Sequence, residues 1–161
     1  MIYTYIGKIV NTHALKGEVR ILSSFDLKER VFIKDNNIYI GENKEVEIIE
    51  TYRIHKNFDM VKFVGKDNIN DVIKYKVKKV YVLKDSLNLK EGEYLDSDLI
   101  GLDAFFLDEH LGKIDDIINN NGYKLFYVKN KYIPYNKEFI EKIDLNDKKI
   151  IFKNVGELIW K

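Results

Sequence analysis

The sequence predicts a mainly β protein: two small β-barrel domains joined by a short linker, with one short helix in the N-terminal barrel. Three observations predict it. Apolar and aromatic residues return in short runs rich in β-branched and ring side chains, such as IYTYIGKIV, VRILSSF, NIYI, VEIIETYRI, MVKFV and KKVYVL. Gly, Asn or Asp separates many of these runs, as turns require. The polar stretch KDSLNLKEGEYLDSD then interrupts the pattern before strand-like runs resume, so the domains are placed at 1–84 and 98–161 with a linker over 85–97.

Each element follows from its local pattern. Ile2 to Val10 and Val19 to Phe25 read as two strands around a polar connector, Asn11 to Glu18. Alternation at Val61, Lys62, Phe63 and at Val80, Tyr81, Val82 assigns inward and outward positions. Closure into a barrel removes the edges that so many short strands would expose. Ile69, Val72, Ile73 and Lys76 recur at three- and four-residue spacing, which predicts an amphipathic helix over Asp67 to Tyr75 with Asp67 as N-cap, covering one barrel end before the last strand, Lys79 to Leu83. Beyond the linker, LDAFFL, GKIDDIIN, KLFYVKN, KYIPY and KKIIFKN form the second barrel, and GELIW reads as a short helix docking Trp160. Pro134 lacks an amide donor and marks a strand edge or end.

Composition excludes several chemistries. The chain has no cysteine, which removes disulfides, cysteine-ligated metal and thiol nucleophiles. Four serines, no phosphate-cradling glycine loop and no histidine-carboxylate metal motif argue against an enzyme acting on RNA. No leader and no membrane span is read, so the expectation is a soluble cytoplasmic monomer without cofactors. The net charge of +1 conceals a split: residues 1–84 carry 16 basic against 11 acidic side chains, and residues 85–161 carry 11 against 15. The basic half suits a polyanion and the acidic half a basic protein.

The connector exposes Thr12, His13, Lys16, Gly17, Glu18 and Arg20 on one hairpin. Gly17 supplies a turn conformation, with Thr12 and Glu18 suited to satisfying loop donors. Lys16 and Arg20 are suited to phosphate oxygens, and His13 to donating to RNA or stacking on a base. No Ser, Cys or paired carboxylate accompanies His13, so it reads as a recognition residue rather than a general base. Arg30, with Lys28, could extend this basic surface. Tyr94, beside Asp96 and Asp98, is an amphipathic anchor for a protein partner, with domain packing as the competing reading. Asp115 and Asp116 point to opposite faces of a strand and cannot jointly hold an ion. His110 is expected in an exposed turn and His55 in a structural strand position.

The connector HALKGEV at His13 to Val19, then GEYLDSDLIGL, then HLGKIDDI and YIPY, in that order, resemble the RimM family of bacterial ribosome maturation factors over essentially the whole chain. The family loop has glycine where Ala14 stands, a second aromatic where Leu95 stands, and an arginine and Ala-Glu pair where NINDVIKYK stands. The resemblance implies an N-terminal RimM barrel and a C-terminal PRC-type barrel. It implies a non-enzymatic factor that assists assembly of the 30S head and 16S rRNA processing. Thr12, His13, Lys16, Gly17, Glu18, Arg20 and Arg30 would face RNA or the ribosome. Tyr94, Leu95, Asp96 and Asp98 would meet the nineteenth small-subunit ribosomal protein on the immature 30S subunit. A general RNA-binding barrel of the translation-factor type is the alternative.

Overall fold

The structure, a computed structural model, describes residues 1–160. The chain divides into two compact units, Met1–Glu91 and Gly92–Lys161.

The first unit contains β1 (Tyr3–His13), β2 (Glu18–Leu22), β3 (Asn37–Ile40), β4 (Glu45–His55), β5 (Phe58–Phe63) and β6 (Lys79–Leu83). They close an antiparallel barrel in the order β1-β2-β5-β4-β3-β6. The inward set is aliphatic: Ile6, Ile9, Val19, Ile21, Ile38, Ile40, Ile49, Val61, Val80 and Val82 are fully buried. Each contributes about 1.5–3 kcal/mol by leaving water. β1 carries bulges between Tyr5 and Gly7 and between Ile9 and Asn11, which let one long strand pair with both neighbours. A side chain at Gly7 would meet the Leu22 carbonyl at 2.8 Å, so the tight β1–β2 approach depends on its absence.

The expected amphipathic helix is instead two 3-10 turns, Ile69–Asp71 and Ile73–Tyr75. Asn68, not Asp67, is the cap: its side chain accepts from the Asn70 amide, while Asp71 accepts from the Asn68 amide. The reason lies in the spacing. Ile69, Val72 and Tyr75 recur every third residue, the period of a 3-10 helix, and Val72 and Tyr75 are buried while Ile73 is exposed. Tyr75 plugs the barrel end edge-on to Phe63, 6.0 Å between ring centres, and its hydroxyl donates to Glu47 and Glu45. Burial, reinforced by the Glu47 carboxylate, pushes the Tyr75 phenol far above its ordinary range.

The second unit starts with a single helical turn, α1 (Asp96–Leu99), followed by β7 (Asp103–Phe106), β8 (Glu109–Lys113), β9 (Asp116–Asn120), β10 (Tyr123–Val128), β11 (Lys131–Pro134), β12 (Ile140–Asp144), β13 (Lys149–Phe152) and α2 (Gly156–Ile159). One sheet runs β12-β13-β7-β8 and the other β11-β10-β9. β13 and β7 pair in parallel, so the first and last strands of the unit lie side by side. Phe126, Phe152, Ile133, Ile150, Ala104 and Val155 fill the core. Pro134 closes the edge strand β11. Trp160 follows α2 and rests on Phe106, 5.1 Å between rings. Among the described residues no helix is long and apolar enough to cross a membrane.

Candidate nucleic-acid interface

The connector is shorter than the sequence suggests. Thr12 and His13 belong to β1 and pair with Val19 and Glu18, leaving Ala14 to Gly17 as the turn. Asn11, Thr12 and His13 are polar because they lie at the barrel rim, not because the chain has left the sheet. Ala14 adopts φ 61° and Gly17 φ 87°. Gly17 has no alternative, since a Cβ there would lie 2.3 Å from the Lys66 carbonyl oxygen. The Ile69 amide donates to the Leu15 carbonyl at 3.1 Å and fastens the turn to the 3-10 segment. Lys16 projects, exposed, from this clamped turn.

Alternation puts Val19 and Ile21 inside, so Glu18 and Arg20 lie on the outer wall. Across that wall β5 and β4 bring Phe58, Arg53 and His55, because Arg20 pairs with Met60, Arg53 with Met60 and His55 with Phe58. Arg20 Nη2 donates to His13 Nδ1 at 2.9 Å. A guanidinium has donors only, so His13 Nδ1 accepts and Nε2 carries the ring proton. The Arg20 head lies 5.6 Å from the Phe58 ring centre, and its buried Nε has no hydrogen-bond partner among the described residues. Glu18 takes a two-pronged contact from Arg53, at 2.7 and 2.8 Å. The Arg53 guanidinium holds the Glu18 carboxyl below its usual range. The His13 and His55 rings stand 5.8 Å apart. Desolvation, with Arg53, Lys56, His13 and Arg20 nearby, lowers the His55 pKa below the usual imidazole value. His55 ends a strand, as its sequence pattern suggests, and the fold also sets it within the candidate site.

Arg30 and Lys28 occupy a 3-10 turn and are drawn into the unit. Arg30 Nη1 donates to the Leu87 carbonyl at 3.2 Å, and Lys28 pairs at 2.9 Å with Asp59, a carboxylate only 2% exposed. Asp59 also accepts from the Tyr52 hydroxyl at 2.6 Å, which with burial raises that phenol's pKa.

The residues of the second candidate group are placed around α1. Tyr94 is half-buried against the core of the second unit, and Leu95 is buried. Asp96 is paired with Lys124 at 2.7 Å, and Lys124 lies over the Tyr135 ring, itself stacked on Phe126. Asp98, in the turn of α1, is partly exposed. The acidic segment is therefore cross-braced rather than a row of open carboxylates. His110 lies in β8, not in a turn, and bonds Asp103 at 3.0 Å. Among the described residues no group of three or more His, Asp or Glu could hold a metal.

A clamped turn and an arginine resting on an aromatic ring stand on the first of two β units, the architecture of a two-domain, mainly β protein. Comparison with known proteins agrees on the class: residues 4–87 match the RimM N-terminal domain and residues 96–158 the RimM PRC barrel domain. A ribosome maturation factor RimM from Exiguobacterium sp. is 37% identical, over 99% of this chain and 98% of that one. The Bacillus subtilis ribosome maturation factor RimM is 34% identical, over 96% and 95%. A solved RimM chain from Pseudomonas aeruginosa, a 16S ribosomal RNA processing protein, is 19% identical with a TM-score of 0.49, covering 94% of this chain and 97% of its own. The chain belongs to the RimM family of ribosome maturation factors.

Proposed function

We propose that the protein assists assembly of the 30S head and 16S rRNA processing by binding alone, with the β1–β2 turn of the first unit on rRNA and the α1 segment of the second unit on the nineteenth small-subunit ribosomal protein. The observation that carries the reading is the Arg20 site. Its guanidinium is oriented by His13 and Phe58, and exposed Lys16 lies on the same hairpin. Phosphate oxygens are the acceptors such donors fit. Thr12, Gly17 and Glu18 keep the hairpin in shape, and Tyr94, Asp96 and Asp98 form a braced, acidic surface suited to a basic protein, with buried Leu95 anchoring the segment from beneath. Holding protein and RNA together favours the arrangement the factor binds best. Release follows when the mature arrangement competes for the same surface.

Sedimentation with small-subunit precursors, with and without nuclease, tests this. Lys16→Glu combined with Arg20→Glu is expected to lower precursor association while leaving nuclease-resistant binding of the ribosomal protein intact. Unchanged association would reduce the hairpin to a turn. Loss of all protein binding on nuclease treatment, with steep salt dependence for any RNA, would favour a general RNA-binding barrel.

A further inference from the structure

A different wall of the first barrel carries four tyrosines that the hairpin site does not use. Thr4 and Ile6, Val80 and Val82, and Ile38 and Ile40 point inward. Tyr3, Tyr5, Tyr81 and Tyr39 therefore point outward. Register aligns them: Tyr5 pairs with Tyr81 across β1–β6, and Tyr39 with Tyr81 across β3–β6, so three rings form one row perpendicular to the strands. Tyr3 joins from one side, 5.3 Å from Tyr39 and 6.5 Å from Tyr81, and Tyr5 lies 6.0 Å from Tyr81. Tyr5 is 51% exposed, and among the described residues none of the four hydroxyls has a hydrogen-bond partner.

Two lysines are interleaved with the rings. Lys44 Nζ stands 4.4 Å from the Tyr81 ring centre and 5.4 Å from that of Tyr3, and Lys79 Nζ stands 6.0 Å from Tyr5. Lys8 is opposite Lys79 on the neighbouring strand. None of these three pairs with a carboxylate among the described residues. Sheet stability alone explains rings in contact, but not an outward-facing cluster with unused hydroxyls and three lysines beside it that no carboxylate among the described residues pairs, although Glu42 and Glu45 line the recess that Lys79 and Tyr81 share.

We propose that this wall binds single-stranded RNA, with bases stacking on the tyrosines and phosphates meeting Lys8, Lys44 and Lys79. Any base has a face to offer a ring, so the surface tolerates sequence, and a duplex, whose bases are already stacked, gains nothing from it. The cations in contact with the rings are lysines, Lys44 on Tyr3 and Tyr81 and Lys79 near Tyr5, which favours a polyanion, and a protein partner would have to bury four hydroxyls with partners of its own. The inference does not depend on the hairpin reading, since the rings belong to another wall and the probe is a free oligonucleotide rather than a ribosomal particle.

The test uses the full chain and a labelled mixed-sequence single-stranded oligoribonucleotide, followed by fluorescence anisotropy across a salt series. Tyr5→Leu is expected to weaken binding about tenfold, the loss of one stacked base, while Tyr5→Phe stays within about twofold. Lys44→Gln with Lys79→Gln, which leaves the core untouched, is expected to reduce the slope of log affinity against log salt by about 1.4. The Tyr5→Leu loss should persist in the Arg20→Glu background, separating this wall from the hairpin. Unchanged affinity and slope in these variants, or equal binding of a duplex, overturns the proposal. A Tyr5→Leu chain that keeps the oligonucleotide but loses a ribosomal protein overturns it in favour of a protein-docking wall.

Discussion

Gly17→Ala tests the claim that the β1–β2 turn is clamped rather than merely short. Two costs combine. At φ 87° an L-residue is strained by about 1–2 kcal/mol. The new methyl would also lie 2.3 Å from the Lys66 carbonyl oxygen and 3.3 Å from the Asn68 amide nitrogen. Both are backbone atoms, and the Asn68 cap and the Ile69–Leu15 hydrogen bond tie that segment in place. Overpacking against a fixed neighbour costs about 1–3 kcal/mol. Together these give about 3 kcal/mol, which at a urea slope of about 1.5 kcal/mol/M lowers the midpoint of the first unit by about 2 M. Equilibrium urea unfolding followed by far-UV circular dichroism reads it. The companion substitution Ala14→Gly acts in the opposite sense: it removes left-handed strain at φ 61° against a small entropic cost and is expected to stabilise by about 0.5 kcal/mol. A Gly17→Ala loss below about 1 kcal/mol would refute the reasoning, because it would mean that the Lys66 carbonyl moves aside freely.

Two further substitutions probe the wall beside the turn. His55 has a lowered pKa in the fold, so the unfolded chain binds its proton more readily. Its contribution to stability is therefore present above the unfolded value near 6.5 and is lost as pH falls through the lower folded value. His55→Gln is expected to flatten the decline in melting temperature between about pH 7 and pH 5, and an unchanged decline would place the titration elsewhere. Asp59→Asn removes the partner of Lys28 and the acceptor charge facing Tyr52. Lys28 can re-solvate, so the expected cost is about 1–3 kcal/mol by thermal or urea unfolding, and ultraviolet titration should find one phenol ionising at lower pH than in the parent. A phenol titration identical to the parent's would contradict the assignment.

What the sequence reveals here is set by the range of each interaction. Strand periodicity is local, so Val80-Tyr81-Val82 and the other alternating runs announce themselves. The 3-10 turns resemble an amphipathic helix in sequence because Ile69, Val72 and Tyr75 satisfy both periods over so few residues, and only burial of Tyr75 with exposure of Ile73 separates them. The hairpin half of the site, His13 to Arg20, is contiguous and therefore visible. Arg53, His55 and Phe58 join it only through the β2–β5 and β5–β4 registers. The tyrosine wall is split in the same way, with Tyr3 and Tyr5 on β1 but Tyr39 and Tyr81 supplied by β3 and β6. Asp96 looks like an open acid in sequence because its partner, Lys124, lies 28 residues away.

The same long-range pairing determines where the excess positive charge of residues 1–84 can act. Much of that charge is already committed: Lys28 to Asp59, Arg53 to Glu18, Lys62 to Glu50 and Asp67, and Lys74 to Glu45. A cation held by a carboxylate has little field left for a phosphate. Lys16 on the turn, and Lys8, Lys44 and Lys79 beside the tyrosines, have no such partner among the described residues. Part of the surplus therefore stands at two places where the fold also supplies ring faces, Phe58 with the histidines on one wall and the four tyrosines on the other. Charge without rings would hold RNA loosely and along any path, and rings without charge would suit a protein as well as a base. On the proposed RNA reading, their coincidence on two walls of one closed barrel would give a strand of RNA a route around the first unit, with the hairpin site fixing one end.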